Sequence, residues 1–141
     1  MITHSLNPKF MKIAVLIARI LLGLIFVVFG LNFFFNFLPM TPPPMSAKAQ
    51  AFSSGLYGSG YFFQYMKVIE IASGLAILFN RYTAFFLLIL FPVSVNIFLY
   101  HSILMPSGVP VAAAIIVLHL FLAFAYRKYY ASIFTAVPTI S

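Results

Sequence analysis

Residues 61–80 read YFFQYMKVIEIASGLAILFN, twenty residues that are apolar enough to cross a bilayer yet contain Lys67 and Glu70, the only acidic residue of the chain. A charge near the centre of a spanning helix costs at least about 2.5–3.5 kcal/mol on insertion scales, so such groups face other helices and mark a pathway or a site. In a helix Lys67 and Glu70 are three apart and share one face, with Gly74 a turn further along it. That stripe is expected to point into a bundle.

The composition around this stretch agrees. Hydrophobic residues make up 64% of the 141 and charged residues 6%, and the mean hydropathy is +1.11, whereas a soluble domain is about one quarter charged. At about 20 apolar residues per crossing, the length accommodates four helices and no soluble domain of ordinary size. The expected fold is therefore all-α, a single integral-membrane four-helix bundle.

Working outward, residues 1–12 are short and polar, with Lys9 and Lys12 before the first apolar run. They resemble the start of a signal peptide. The run that follows is too long for a signal-peptide core, is interrupted by Arg19 and lacks a small-residue cleavage site, so it reads as a retained first helix over 12–35. Arg19, Gly23, Phe26 and Gly30 fall on one face of that helix, where small residues allow close helix approach. Arg19 either meets an acidic partner from that face or snorkels to lipid headgroups.

Residues 38–60 form the longest polar segment, expected as an extracytoplasmic loop. Prolines 42–44 favour an extended start, a short helix fits 47–52, and Tyr57 and Tyr61 suit a headgroup zone. The loop is either a lid over the bundle mouth or a plain surface connection. The second helix (61–80) ends at Asn80-Arg81, and the third (82–100) must be its antiparallel neighbour across so tight a turn. Pro92 is expected to kink the third helix and free a carbonyl near Leu88. A second extracytoplasmic loop (101–110) precedes a fourth helix over 111–127, and the last residues look interfacial.

Lys9, Lys12, Arg81, Arg127 and Lys128 fall on the side of both termini, and Lys48 alone lies opposite. The positive-inside rule then places both termini in the cytoplasm. The formal net charge of +7 comes from residues dispersed at helix ends, which argues against nucleic acid. The absence of cysteine excludes disulfides, thiolate metal sites and dithiol redox chemistry carried by this chain.

At 1.5 Å per residue from the cytoplasmic helix ends, Arg19 lies about 10 Å deep, His119 about 12 Å and Glu70 about 15 Å. Lys67 and Asn96 follow at about 20 Å, with His101 near the outer end. The six residues form one candidate polar column, in which a cation within about 4–6 Å, Arg19 or Lys67, would keep Glu70 charged. Spare hydrogen-bonding capacity would serve a lipid headgroup or a quinone carbonyl. The alternative is an ion pair that only fixes helix register. His119 reads as either a satisfied core histidine or a ligand. Two histidines without a second carboxylate make a poor metal site, and no catalytic triad or phosphate-cradling loop stands out.

Four stretches, RILLGLIFVVFGLNFFFNFLP (19–39), GYFFQYMKVIEIASGLAILFNRY (60–82), FPVSVNIFLYH (91–101) and AYRKYY (125–130), together resemble the DoxX family of small bacterial membrane proteins. The resemblance implies a four-helix bundle of the bacterial cytoplasmic (inner) membrane, with Arg19, Glu70, Asn96 and His101 at the family's recurring polar positions. It also implies kinship with subunits linked to thiosulfate:quinone oxidoreduction and with members tied to oxidative-stress or thiol-handling complexes.

Three functions compete on these residues. The favoured one is a non-catalytic module that binds lipid or quinone or assists a membrane or redox partner protein. The others are a subunit of a quinone-linked oxidoreductase, for which no ligation of haem, flavin or iron–sulfur is recognisable, and a small proton-linked transporter, for which Pro92 is the sole hint of a broken helix. Glycine-bearing helix faces additionally suit a homodimer.

Overall fold

The computed structural model describes residues 7–141, and its regular elements are all helical among these residues. Helix α1 covers Pro8–Phe35, α2 Ala47–Gly58, α3 Phe62–Leu78, α4 Thr83–Ile103 and α5 Val109–Ala125, with 3-10 turns at Pro106–Gly108 and Arg127–Tyr130. Residues 1–6 of the expected polar lead-in lie outside the described residues. Residues 8–12 are helical, so α1 starts a turn earlier than expected. Proline is pre-organised for a first helical position, and the Asn7 side chain accepts a hydrogen bond from the Lys9 amide at 3.0 Å. At the other end Asn36 takes a left-handed conformation (φ 48°) and returns its amide to the Asn32 carbonyl, closing the helix.

Helices α1, α4 and the segment Pro106–Ala125 are each long and apolar enough to cross a membrane. The pair α2 and α3 passes the same test only when joined, with an 88° bend between them. The polar segment 38–60 thus contains a helix twice as long as expected, running through Gly55 to Gly58. Glycine weakens a helix by only about 1 kcal/mol, which the Ser46 N-cap, accepting from the Ala49 amide at 3.2 Å, helps offset. Docking secures it further. Tyr57 packs on Phe33 and Phe63 with centroids 6.3 and 4.2 Å away, and Phe52 lies 5.5 Å from Tyr100. The plain surface connection is therefore replaced by a helix seated on the ends of α1, α3 and α4.

Helix α1 packs on α3 and α5, and α4 packs on α5 and α3. Apolar side chains hold the middle, including Leu22, Phe26, Ile77, Leu87, Leu90 and Leu122. The opposite faces are equally apolar and exposed, as with Ile13, Ile17 and Leu24 on α1 and Val117 and Leu120 on α5. Lipid is the solvent that suits both surfaces. Between lipid-bathed helices the hydrophobic effect offers no net attraction, so close packing must hold them.

The seam between α1 and α3 achieves that with glycine. A Cβ on Gly23 would lie 2.9 Å from the Gly74 carbonyl oxygen, and one on Gly74 would lie 2.9 Å from that of Gly23. The two backbones therefore meet directly, and Gly30 crosses beside Ile71 in the same register. The small-residue faces expected to serve a homodimer are used inside the chain.

The ends of the remaining helices differ modestly from expectation. Helix α4 continues to Ile103 because His101, part of its last turn, turns back to the Met105 carbonyl at 3.2 Å. Helix α5 stops at Ala125, and residues 127–130 fold back instead of trailing away, with the Tyr130 hydroxyl donating to the Ala84 carbonyl at 3.0 Å.

Candidate functional site

The polar residues expected to form one column separate into distinct groups. Glu70 is buried in α3 with its side chain 3% exposed, and Lys67, 21% exposed, donates to Glu70 Oε2 at 2.8 Å. This is the only salt bridge among the described residues. One helical turn makes it, because side chains three apart on a helix meet. The Lys67 ammonium has further donors beyond this bond, and the carboxylate has lone pairs to spare.

Ser73 continues the stripe at i+3 from Glu70. It is fully buried, and its hydroxyl finds no partner among the described residues. On the other side, one turn before Lys67, Phe63 joins Phe33 and Tyr57 in an aromatic cluster beneath α2, with Phe33 and Phe63 centroids 6.0 Å apart. An aromatic mouth, a cation, a carboxylate and a free hydroxyl thus follow one another along α3. Sequence reasoning missed Ser73 and Phe63, although the stripe Phe63, Lys67, Glu70, Ser73 was available from helical spacing alone.

Arg19 is not the partner of Glu70. Its Nη1 donates to the Ile77 carbonyl at 3.3 Å, and its Nε is buried without a partner among the described residues. Ile77 lies seven residues beyond Glu70, about 10 Å along the helix. The two residues lie at different depths because α1 extends well past the end of α3, so the two helix ends are not level. Arg19 instead places positive charge on the last turn of α3, the negative end of that helix's dipole.

His119 is likewise occupied. Buried in α5, it bonds the Leu87 carbonyl through Nε2 at 2.9 Å and Ser94 through Nδ1 at 2.8 Å. A carbonyl only accepts, so Nε2 carries the proton and Nδ1 accepts from the Ser94 hydroxyl. Of the two readings, a satisfied core histidine is the one observed, and it ties α5 to α4. Its partner Ser94 went unremarked in the sequence, although it lies on the inward face two residues after Pro92. The carbonyl His119 takes is that of Leu87, next to the Leu88 carbonyl that Pro92 leaves without its helical donor.

His101 and Asn96 leave the column altogether. The His101 ring lies against the Gly108 backbone, where a Cβ would collide with it, so it clamps the 104–108 turn. Asn96 is exposed on the outer face of α4. The inward positions of that helix are Leu87, Leu90 and Ser94, and a residue two beyond Ser94 points away from them.

Two clefts lie elsewhere. One of about 470 Å³ is lined by Asn80, Tyr82, Phe85, Tyr126, Tyr129 and neighbours at the α3–α4 turn. Asn80 and Tyr82 on its rim both have positive φ, 53° and 54°, and Tyr126 donates to Asn80 Oδ1 at 3.2 Å. The other, about 320 Å³, is an apolar groove between the start of α1 and α5. None of the six candidate residues lines either. No group of three or more His, Cys, Asp or Glu side chains among the described residues suits a metal ion.

Comparison with curated proteins found no match, and neither did comparison with solved structures. The family model for DoxX matches residues 14–102, which takes in the α1–α3 seam, the Lys67–Glu70 pair and all but the last residue of α4. The closing helix α5 and the AYRKYY segment lie beyond that match. With well over half of its length covered, this apolar helical chain belongs to the DoxX family of membrane proteins.

Proposed function

We propose that the protein is a non-catalytic membrane module that binds an amphiphile, a quinone or a phospholipid, with the head of that molecule at Lys67 and Glu70. One observation carries the reading. The chain's only acidic side chain is buried in an apolar helix, and it is held by a lysine that remains partly open to the outside. A pair serving register alone should have its remaining donors and acceptors satisfied within the bundle, since desolvated ions are costly unless every hydrogen bond is made. Here a single hydrogen bond joins the Lys67 ammonium to the Glu70 carboxylate, and the buried Ser73 hydroxyl has no partner among the described residues.

The aromatic cluster of Phe33, Tyr57 and Phe63 supports the same reading, because it offers π faces one turn from the pair, where a quinone ring or a glycerol backbone would rest. The architecture proposed with it is a four-helix bundle of α1, α3, α4 and α5 in the bacterial inner membrane. Both termini are cytoplasmic, as the side carrying most lysines and arginines should be, and α2 lies across the opposite mouth.

Native mass spectrometry of the purified protein, with extraction of bound lipids and quinones, tests this. A stoichiometric amphiphile is expected on the wild type and lost from folded Glu70→Gln and Lys67→Met variants, and its identity separates quinone from phospholipid. Equal occupancy in the variants, or an empty wild type, would refute the site.

A further inference from the structure

Asn96 presents a problem that the ligand site does not solve. It lies thirteen residues into α4, about 10 Å short of that helix's outer end by helical rise, and its side chain faces outward. A short amide at that depth cannot reach water. Ser94, two residues earlier on the inward face, is bonded to His119, whereas Asn96 bonds none of the described residues. An amide left unsatisfied in hydrocarbon costs several kcal/mol, so a partner outside this chain is required.

The surface around it has a definite pattern. Ile89, Pro92, Asn96, Leu99 and Ile103 are all exposed, and they succeed one another at intervals of three, four, three and four residues. That alternation is the a/d seam of a two-helix coiled coil, in which a single asparagine at an a position fixes register and number of strands. Nothing else in the chain uses this stripe.

We propose that α4 pairs with α4 of a second copy through this seam, with the two Asn96 amides hydrogen-bonded to each other. A second copy is the occupant the chemistry selects. Inserted into the same membrane in the same orientation, it necessarily carries its own Asn96 at the same depth, and an axis along the membrane normal brings the two together. An amide both donates and accepts, so the pair is self-complementary, as a twofold interface demands. The glycine faces play no part, since Gly23, Gly30 and Gly74 are buried against each other's helices.

The cysteine-free chain allows a direct test in native membranes. Single cysteines at Leu99 and Ile103 should form disulfide-linked dimers under mild oxidation, and cysteines at Val117 and Leu120 on the outer face of α5 should not. Adding Asn96→Leu to Ile103→Cys should lower the crosslinked fraction roughly tenfold, the loss of one interhelical hydrogen bond, while Asn96→Gln should preserve it. Because the side chain faces outward, the Leu variant is expected to fold, which an unchanged helical circular-dichroism spectrum would verify. Crosslinking equal on α5 and α4, or indifferent to Asn96→Leu in the folded protein, would overturn the proposal.

Discussion

Arg19, Lys67 and Glu70 are separated by their partners, and a pair of double-mutant cycles would express that separation as energy. Lys67→Met and Glu70→Gln share a hydrogen bond and should couple by about 1–3 kcal/mol in unfolding free energy. Arg19→Met and Glu70→Gln act on opposite ends of α3 and should add within about 0.5 kcal/mol. A strong Arg19–Glu70 coupling would restore the ion pair that simple depth arithmetic suggests. Tyr130 gives a second residue-level prediction. Burial, and then the neighbouring Tyr126, push its hydroxyl above the ordinary value of 10.0. A group that ionises later in the folded state stabilises that state below the unfolded value and loses the contribution as pH rises through the folded one. Stability should accordingly fall above about pH 10, and Tyr130→Phe should flatten that part of the fall in a pH series of melting temperatures. An unchanged slope in the variant would mean that the hydroxyl is not held against Ala84.

Among the elements, the α1–α3 seam sets the geometry of everything else, because it fixes the depth of Glu70 relative to α1. Gly23 and Gly74 meet backbone to backbone, so an added methyl at either has nowhere to go except by parting the helices. Gly23→Ala and Gly74→Ala should each destabilise by about 1–3 kcal/mol, the usual range for overpacking. Gly30→Ala presses on the Cγ1 of a half-buried side chain, Ile71, which can shift where a backbone cannot, and should cost less. Unfolding in mixed micelles would rank the three, and equal effects would argue against the observed crossing. The glycine faces were legible beforehand, since the positions of Gly23, Gly30 and Gly74 follow from spacing alone, but not that they meet each other inside one chain. Nor was the length of α2. Its glycines argue for an early stop, and the contacts that carry it past them, Tyr57 on Phe63 and Phe52 on Tyr100, join residues remote in the chain. Asn96 was misplaced for a related reason, as α4 is apolar on every side and gives no periodicity to orient it.

For the molecule as a whole, the all-helical character and the order of the apolar segments could be read from hydropathy, whereas the number of helices long enough to cross alone, three among the described residues, and which polar groups share a layer could not. Depth counted from helix ends assumes level ends, and α1 overshoots α3. What results is a body apolar inside and out, with its one acidic side chain buried in α3 and the Asn96 amide facing outward from α4. The claim that gives these features a purpose is that Lys67 and Glu70 hold the head of an amphiphile. Thermal unfolding of delipidated protein tests it most directly, with a short-chain ubiquinone analogue or phosphatidylglycerol added in turn to the wild type and to Glu70→Gln. A rise in the wild-type melting temperature with one of the two, absent from the variant, is the predicted result. An equal rise in both proteins, or none in the wild type with either compound, would contradict it.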